Sequence, residues 1–348
     1  MTTIARIGID TSKSVFQLHG VDEAEQATLK RKLRRREFLA FFEKLEPTVI
    51  GLEACGGSHH WARELGKLGH QVMLIPPQYV RPYVERGKND AADASAICEA
   101  MSRPRVRQRL VAVKSAEQAA LQMMLSTREN LIRRRTQLSN ALRGHAAEFG
   151  LVAAKGLVRI EPLLQRIAAE DGVPPLAKAM FATLGQEFAE LGPRIAAVDA
   201  KLMAWHRGDE LSRRLAEIPT VGPIGACLLP AKISDPRIFR SGRMCAAWVG
   251  LTAKDHSTAG KQRLGGITRA GDETLRAVLV SGATAYISYV RRGLIQPSPW
   301  LAEVLKRKPP KLAAVALANK TVRIVWKLMV SGQRYDPTRT GAATAAAV

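Results

Sequence analysis

At 348 residues the chain is longer than one hydrophobic core normally serves, so two or three domains are expected. Lys and Arg number 53 against 31 acids, a formal net charge of +22, and such an excess points to nucleic acid before a membrane surface, because each neutralised phosphate releases condensed counterions. The sequence shows no apolar run of about 18 residues and no signal peptide, so a cytoplasmic protein without a membrane partner is expected.

Ile7 and Ile9 alternate with Gly8 and Asp10 as on a first β-strand, which carries the Asp10 carboxylate to the strand's end. Residues 4–9 and 14–19 read as a hairpin with a short polar turn. Next, Lys30 to Leu45 opens with the basic run 30–36 and continues through Phe38, Leu39, Phe41, Phe42 and Leu45 at helical spacing. A helix with one face on the sheet is expected there, its basic run either solvated or facing phosphate.

Thr48 to Glu53 reads as a buried strand ending in an acid, followed by a helix over 59–68 with Ser58 as its N-cap. A further strand over Gln71–Ile75 implies parallel pairing with the strand of Glu53. In α/β sheets, chemistry collects at the carboxyl ends of such strands. Asp90 and Asp93 then open a helix. Acids in a first turn also serve as caps and dipole partners, but positions three apart share one face. Four carboxylates from two strand ends and one helical turn suit hard divalent cations. Two Mg²⁺ roughly 4 Å apart could polarise a phosphodiester there. Hairpin, β-α-β and then an acid-bearing helix is the order of an α/β RNase H-like fold.

From Met101 to Arg143 the chain is a basic stripe that includes Arg103, Arg105, Arg107, Arg133, Arg134 and Arg135, with Glu117 and Glu129 as its acids. Leu121, Leu125, Leu138 and Leu142 recur at helical spacing over a long run, which predicts an extended helix. Its partner is expected over Pro193–Trp205, with Pro174-Pro175 in the connection, as an antiparallel or dimerising arm. Residues 218–226 look like the tight turn of a helix-hairpin-helix, in which Gly222 and Gly225 would let backbone N–H groups approach a phosphate; an ordinary Gly-Pro turn is the plainer reading. Residues 255–272 mix hydroxyls, glycines and cations, among them Ser257, Thr258, Lys261 and Arg263. They read either as a loop wrapping a phosphate, with a hydroxyl in reach of it, or as a surface hairpin. Apolar helices follow over 275–290 and 319–330, and the Ala-rich end after Thr340 reads as disordered. The four cysteines lack a C-x-x-C pair and read as buried thiols, and the neighbouring His59 and His60 point different ways on a helix, against a shared metal.

Gly-Ile-Asp-Thr-Ser-Lys (8–13), Leu-Glu-Ala (52–54), Lys-Asn-Asp-Ala-Ala-Asp-Ala (88–94), Ile-Pro-Thr-Val-Gly (218–222), Gly-Leu-Thr (250–252) and Ser-Thr-Ala-Gly-Lys (257–261) together resemble the DEDD-type transposases of the insertion sequence family one hundred and ten, in its eleven-eleven branch. The resemblance runs from residue 4 to residue 338. It implies a RuvC-like nuclease domain (1–115), a coiled-coil arm (116–214), a mainly α transposase domain (215–340) and a disordered tail (341–348). It further implies an RNA-guided DNA recombinase acting on donor and target DNA, with a noncoding bridge or seek RNA and a homo-oligomer, dimer or tetramer. Asp10, Glu53, Asp90 and Asp93 match the four acids, and Ser257 the nucleophile, although some relatives place their serine where this chain has Thr258. A nucleoid-associated bacterial protein is implied. Two readings from other classes stand beside this one: an actin-like ATPase, suggested by Gly-Ile-Asp-Thr-Ser, and a nucleic-acid-binding protein whose acids only cap and turn.

Overall fold

The computed structural model describes residues 4–84, 89–258 and 260–340. The chain forms two compact units. One is built from the chain up to Glu117 with Ser234–Arg240, the other from Gln118–Ile233 and the chain from Ser241 onward.

The first unit is α/β. Its strands are β1 (Arg6–Thr11), β2 (Val15–Val21), β3 (Ala27–Arg34), β4 (Val49–Glu53) and β5 (Gln71–Ile75), ordered β3-β2-β1-β4-β5. β1 and β2 pair antiparallel, as do β2 and β3, whereas β1–β4 and β4–β5 are parallel. Helix α1 (Phe38–Phe42) precedes β4, α2 (Ser58–Lys67) joins β4 to β5, and α3 (Pro77–Val80), α4 (Asp90–Ser102) and α5 (Pro104–Arg107) follow. The two faces of the sheet are buried differently. On one, Phe16, Phe38, Phe42 and Trp61 gather with ring centroids 4.4–5.0 Å apart, an edge-and-tilt arrangement that aromatic quadrupoles favour. On the other lies α4. Gly8 permits its approach: a Cβ there would stand 2.3 Å from the Ala94 carbonyl oxygen and 2.4 Å from the Cys98 nitrogen, so any side chain would push the helix off the strand.

Two local expectations fail. The basic run is not the start of a helix: Ala27–Arg34 is an edge strand, because Leu29 and Leu33 alternate with the cations and Leu33 enters the aromatic core beside Phe16. The helix that follows is only Phe38–Phe42. Lysine and arginine on an edge strand also discourage pairing with another sheet. Ser58 is likewise no cap: it sits buried at the first helical position and bonds back to Cys55, accepting from its N–H and donating to its carbonyl at 3.0 Å each. The reading of Lys88 and of the tail beyond Thr340 falls outside the described residues.

The second unit is mainly helical. Helix α6 (Ala116–Glu148) leads to α7 (Ile160–Ala169) and to α8 (Pro175–Gly208). Ion pairs Arg128–Asp199 and Arg134–Glu187 show that α6 and α8 run antiparallel. Helix α8 starts far earlier than Pro193 suggested, since Pro175 occupies its first turn, where a missing N–H costs nothing, and Pro193 is accommodated inside it. Then come α9 (Glu210–Ala216), α10 (Pro223–Lys232), α11 (Gly242–Val249), the hairpin β6 (Ala253–Asp255) and β7 (Leu264–Ile267), and helices α12 (Glu273–Arg291), α13 (Pro299–Arg307), α14 (Pro310–Ser331) and α15 (Pro337–Thr340). Close approach again relies on glycine. A Cβ on Gly282 of α12 would lie 2.2 Å from the Thr220 carbonyl oxygen. Among the described residues no helix is long and apolar enough to cross a membrane.

Candidate functional site

Asp10 ends β1 half-buried, and α4 brings its first turn to the same place. Carboxylate oxygens of Asp10, Asp90 and Asp93 all lie within 4.8 Å of one another. The capping role that acids in a first turn often fill belongs to neither: Asn89 is the N-cap, its side-chain oxygen accepting from the Ala91 N–H at 3.0 Å. Both aspartates are thereby left to face Asp10. Burial first, then the charges of Asp93 and Asp90, hold the Asp10 carboxyl above its ordinary value.

Glu53, at the end of β4, stands outside this trio but within its field. Burial, and then Asp10 and Asp93, raise its carboxyl too, while Arg81 partly opposes them. Arg81 carries no motif, and only its nearness to Glu53 in the fold reveals it. Two carboxylates at such separation repel by about 3 kcal/mol at an effective dielectric near 20. No Lys or Arg ion-pairs with any of the trio among the described residues. Three hard oxygen donors that repel one another, only partly eased at Asp10 by the Thr11 backbone N–H, fit a divalent cation such as Mg²⁺.

Ser257 comes from the β6–β7 hairpin of the second unit and is exposed. Strands β6 and β7 pair antiparallel, with Asp255 opposite Leu264, so this stretch is a hairpin. Its tip is tied by its own side chains: the Arg263 N–H donates to Ser257 Oγ at 2.9 Å, and the Ser257 N–H donates to Asp255 Oδ1 at 2.8 Å. Hydrogen bonds from the Ser257 hydroxyl and amide hold the Asp255 carboxyl below its ordinary value. Thr258 bridges to Lys261, whose N–H donates to the Thr258 carbonyl at 3.0 Å. Lys261 and Arg263 are exposed beside it.

The basic stripe is less free than its sequence suggested. Arg134 pairs with Glu187, Arg103 with Glu99 while lying over Tyr83, and Arg107 Nε donates to the Met101 carbonyl at 2.8 Å. Arg133 bonds Asn130, Arg135 keeps a buried Nε without a partner, and Arg105 is exposed. The acid opposing Arg134 comes from α8 and that opposing Arg103 from α4, and no local count along Met101–Arg143 could reveal either. Gly222 is exposed, but Gly225 is buried, where a Cβ would make ordinary contact with Val278 Cγ1 at 3.4 Å, and the Gly225 backbone is not open to a phosphate. Of the cysteines, Cys98, Cys227 and Cys245 are buried and Cys55 is exposed, against the reading of all four as interior. His59 accepts from the Lys114 N–H through Nδ1 while His60 lies against Trp61, so the two diverge.

Comparison with known proteins bears on the same regions. A family model described as a transposase, of the DEDD type, matches residues 7–149, and a second, the transposase IS116/IS110/IS902 family, matches residues 212–296. The putative transposase y4pF/y4sB of Sinorhizobium fredii is 63% identical over 95% of this chain and 86% of its own length. The probable family 20 transposase of Pseudomonas aeruginosa is 44% identical over 96% of this chain and 99% of its own. The transposase for insertion sequence element IS1111A of Coxiella burnetii is 35% identical over 96% and 92%. With acids gathered in the first matched region and near-complete coverage by these relatives, the chain belongs to the IS110 family of transposases.

Proposed function

We propose that this transposase cuts and rejoins the donor and target DNA of an insertion sequence, using an acidic centre of Asp10, Glu53, Asp90 and Asp93 and the hydroxyl of Ser257, directed by a noncoding bridge or seek RNA. The observation that carries this reading is the meeting of the Asp10, Asp90 and Asp93 oxygens within 4.8 Å, from a strand end and a helix turn. A divalent cation held there, Mg²⁺ in this reading, would draw negative charge from the scissile phosphate.

Ser257 Oγ attacks phosphorus. A serine–phosphate bond forms as the bond to the leaving sugar oxygen breaks, the serine proton passing to solvent and the leaving oxygen taking one up. Reversal by a sugar hydroxyl of another strand rejoins DNA without an energy source, since the phosphodiester energy is kept in the protein link. The Arg263 N–H on Ser257 Oγ favours the oxyanion that attack requires. Glu53 and Arg81 flank the acids without entering the trio.

In this reading the first unit is an RNase H-like, RuvC-like nuclease domain, α6 to α8 form a coiled-coil arm, and the turn before α10 is helix-hairpin-helix-like. The protein works as a homo-oligomer, dimer or tetramer, associated with the nucleoid. Exposed Arg105, Lys261 and Arg263 contact nucleic-acid backbones, sequence being read by base pairing to the RNA. Asn89 as the cap of α4 weighs against acids that merely cap. Ser12 closes its own turn on Val15, with Oγ donating to the Val15 carbonyl at 2.6 Å, which weighs against a nucleotide loop there. The test is the covalent protein–DNA adduct on a denaturing gel. Ser257→Ala is expected to abolish it and Thr258→Ala to retain it; the opposite pattern moves the nucleophile to Thr258.

A further inference from the structure

The edge strand β3 carries a cationic run that the acidic centre does not use, and its residues divide between the two faces of the sheet. Gly8 faces α4, since the Cβ it lacks would meet Ala94 and Cys98. Asp10, two residues on, shares that face. The register pairs Asp10 with Gln17, and Gln17 with Lys32, and residues directly opposite in a sheet project to the same side. His19 opposite Lys30, and Val15 opposite Arg34, place those two cations on that side as well. Lys30, Lys32 and Arg34 are therefore one exposed column, two strand spacings or about 10 Å across the sheet from Asp10.

Arg31 and Arg35 point the other way and are occupied. The Arg31 guanidinium lies 5.1 Å over the Phe41 ring and that of Arg35 4.8 Å over Trp61, on the aromatic face. Arg36 reaches Glu37 at 4.0 Å. No such partner holds Lys30, Lys32 or Arg34 among the described residues. A column of cations beside a cluster of acids matches a strand that brings one phosphate to the acids and its neighbours to the column. Successive phosphates of one strand rise about 3.4 Å along the duplex axis and lie farther apart along the strand itself, so a column about 10 Å from the acids meets phosphates within a few nucleotides of the one being cut.

We infer that Lys30, Lys32 and Arg34 form a phosphate track that positions the DNA strand whose cleavage occurs at the acidic centre. The inference deepens the proposed function and rests on the acids being the site of cutting; its test reads binding before cutting, so the two fail separately. These are positioning residues, contacting phosphates flanking the reacting one and not the reacting atoms.

The experiment compares two triple variants of the full chain, Lys30→Gln/Lys32→Gln/Arg34→Gln and Arg31→Gln/Arg35→Gln/Arg36→Gln, which remove the same charge from the same run. Each is bound to a DNA duplex carrying the end of the insertion sequence, with affinity measured against salt and protection mapped by footprinting. The first set is expected to lower the slope of log affinity against log salt by about 2 to 3, at about 0.9 per phosphate lost, and to lose protection beside the cleaved bond. The second is expected to change the slope by less than about 1. Should the first triple variant not fold, Lys32→Gln alone is expected to cost a slope of about 1 while Lys32→Arg restores it. Equal losses in both sets, an unchanged slope in the first, or a loss seen with copurifying RNA and not with the duplex would overturn the track.

Discussion

Asp10 at the end of β1 and Asp93 in the first turn of α4 approach within 4.8 Å at their carboxylate oxygens, although the β-α-β unit of the sheet separates them in the chain. Like charges are held this close because α4 lies flush on β1, and it lies flush because position 8 has no side chain.

Gly8→Ala tests that dependence. A Cβ 2.3 Å from a carbonyl oxygen of a buried helix cannot be absorbed by a rotamer change, so α4 must move. We expect a loss of at least about 3 kcal/mol in chemical denaturation, the upper end for overpacking, together with loss of DNA cleavage. Gly51→Ala is the contrast: its Cβ would meet the flexible Met101 side chain at 2.4 Å, which can shift, and the cost should be smaller.

Asp93→Asn should separate catalysis from binding. Cleavage is expected to fall beyond the roughly 100-fold that loss of a supporting residue costs a metal site. Affinity for DNA should hold or rise, because a negative charge has left a surface that meets phosphate. Gel cleavage and filter binding on the same preparation check both.

Removal of divalent ions gives a pH signature. Asp10 and Glu53 have carboxyls raised above their ordinary values of 3.8 and 4.5, so the folded state binds more protons than the unfolded one between those values and the raised ones. Their contribution to stability is full below the ordinary values and is lost as pH rises through the raised ones. In chelator, Asp10→Asn is therefore expected to melt higher than the parent at neutral pH, with the gap closing below about pH 4. Adding Mg²⁺ should stabilise the parent by about 2.7 kcal/mol at a hundredfold excess over Kd, seen as a higher Tm, and leave the variant unmoved.

The thiols should divide by burial. Burial pushes the Cys245 thiol up to about 12 and raises Cys98 and Cys227, leaving them as neutral, unreactive thiols at pH 8. Iodoacetamide is expected to label Cys55 in the native protein and the other three after denaturation, as read by mass spectrometry.

The hairpin, the parallel β-α-β and the acid-bearing helix were legible because each rests on a local signal: alternation in Ile7 and Ile9, a buried run ending at Glu53, aspartates three apart on α4. What escaped was decided at a distance. Leu33 joins a strand because Phe16 waits across from it, although the helical spacing of Phe38, Leu39, Phe41, Phe42 and Leu45 just beyond it suggested that the basic run opened a helix. The acids that neutralise Arg128 and Arg134 come from α8. Asn89 took the cap that the sequence left open to Asp90 and Asp93.

The central claim is that Asp10, Asp90 and Asp93 together hold a divalent ion. Calorimetric titration of Mn²⁺ into the full-length protein, alone and with bound, uncut DNA, measures it directly. The account expects saturable binding in the parent that is lost in both Asp10→Asn and Asp93→Asn; equal binding by the parent and either variant would contradict it.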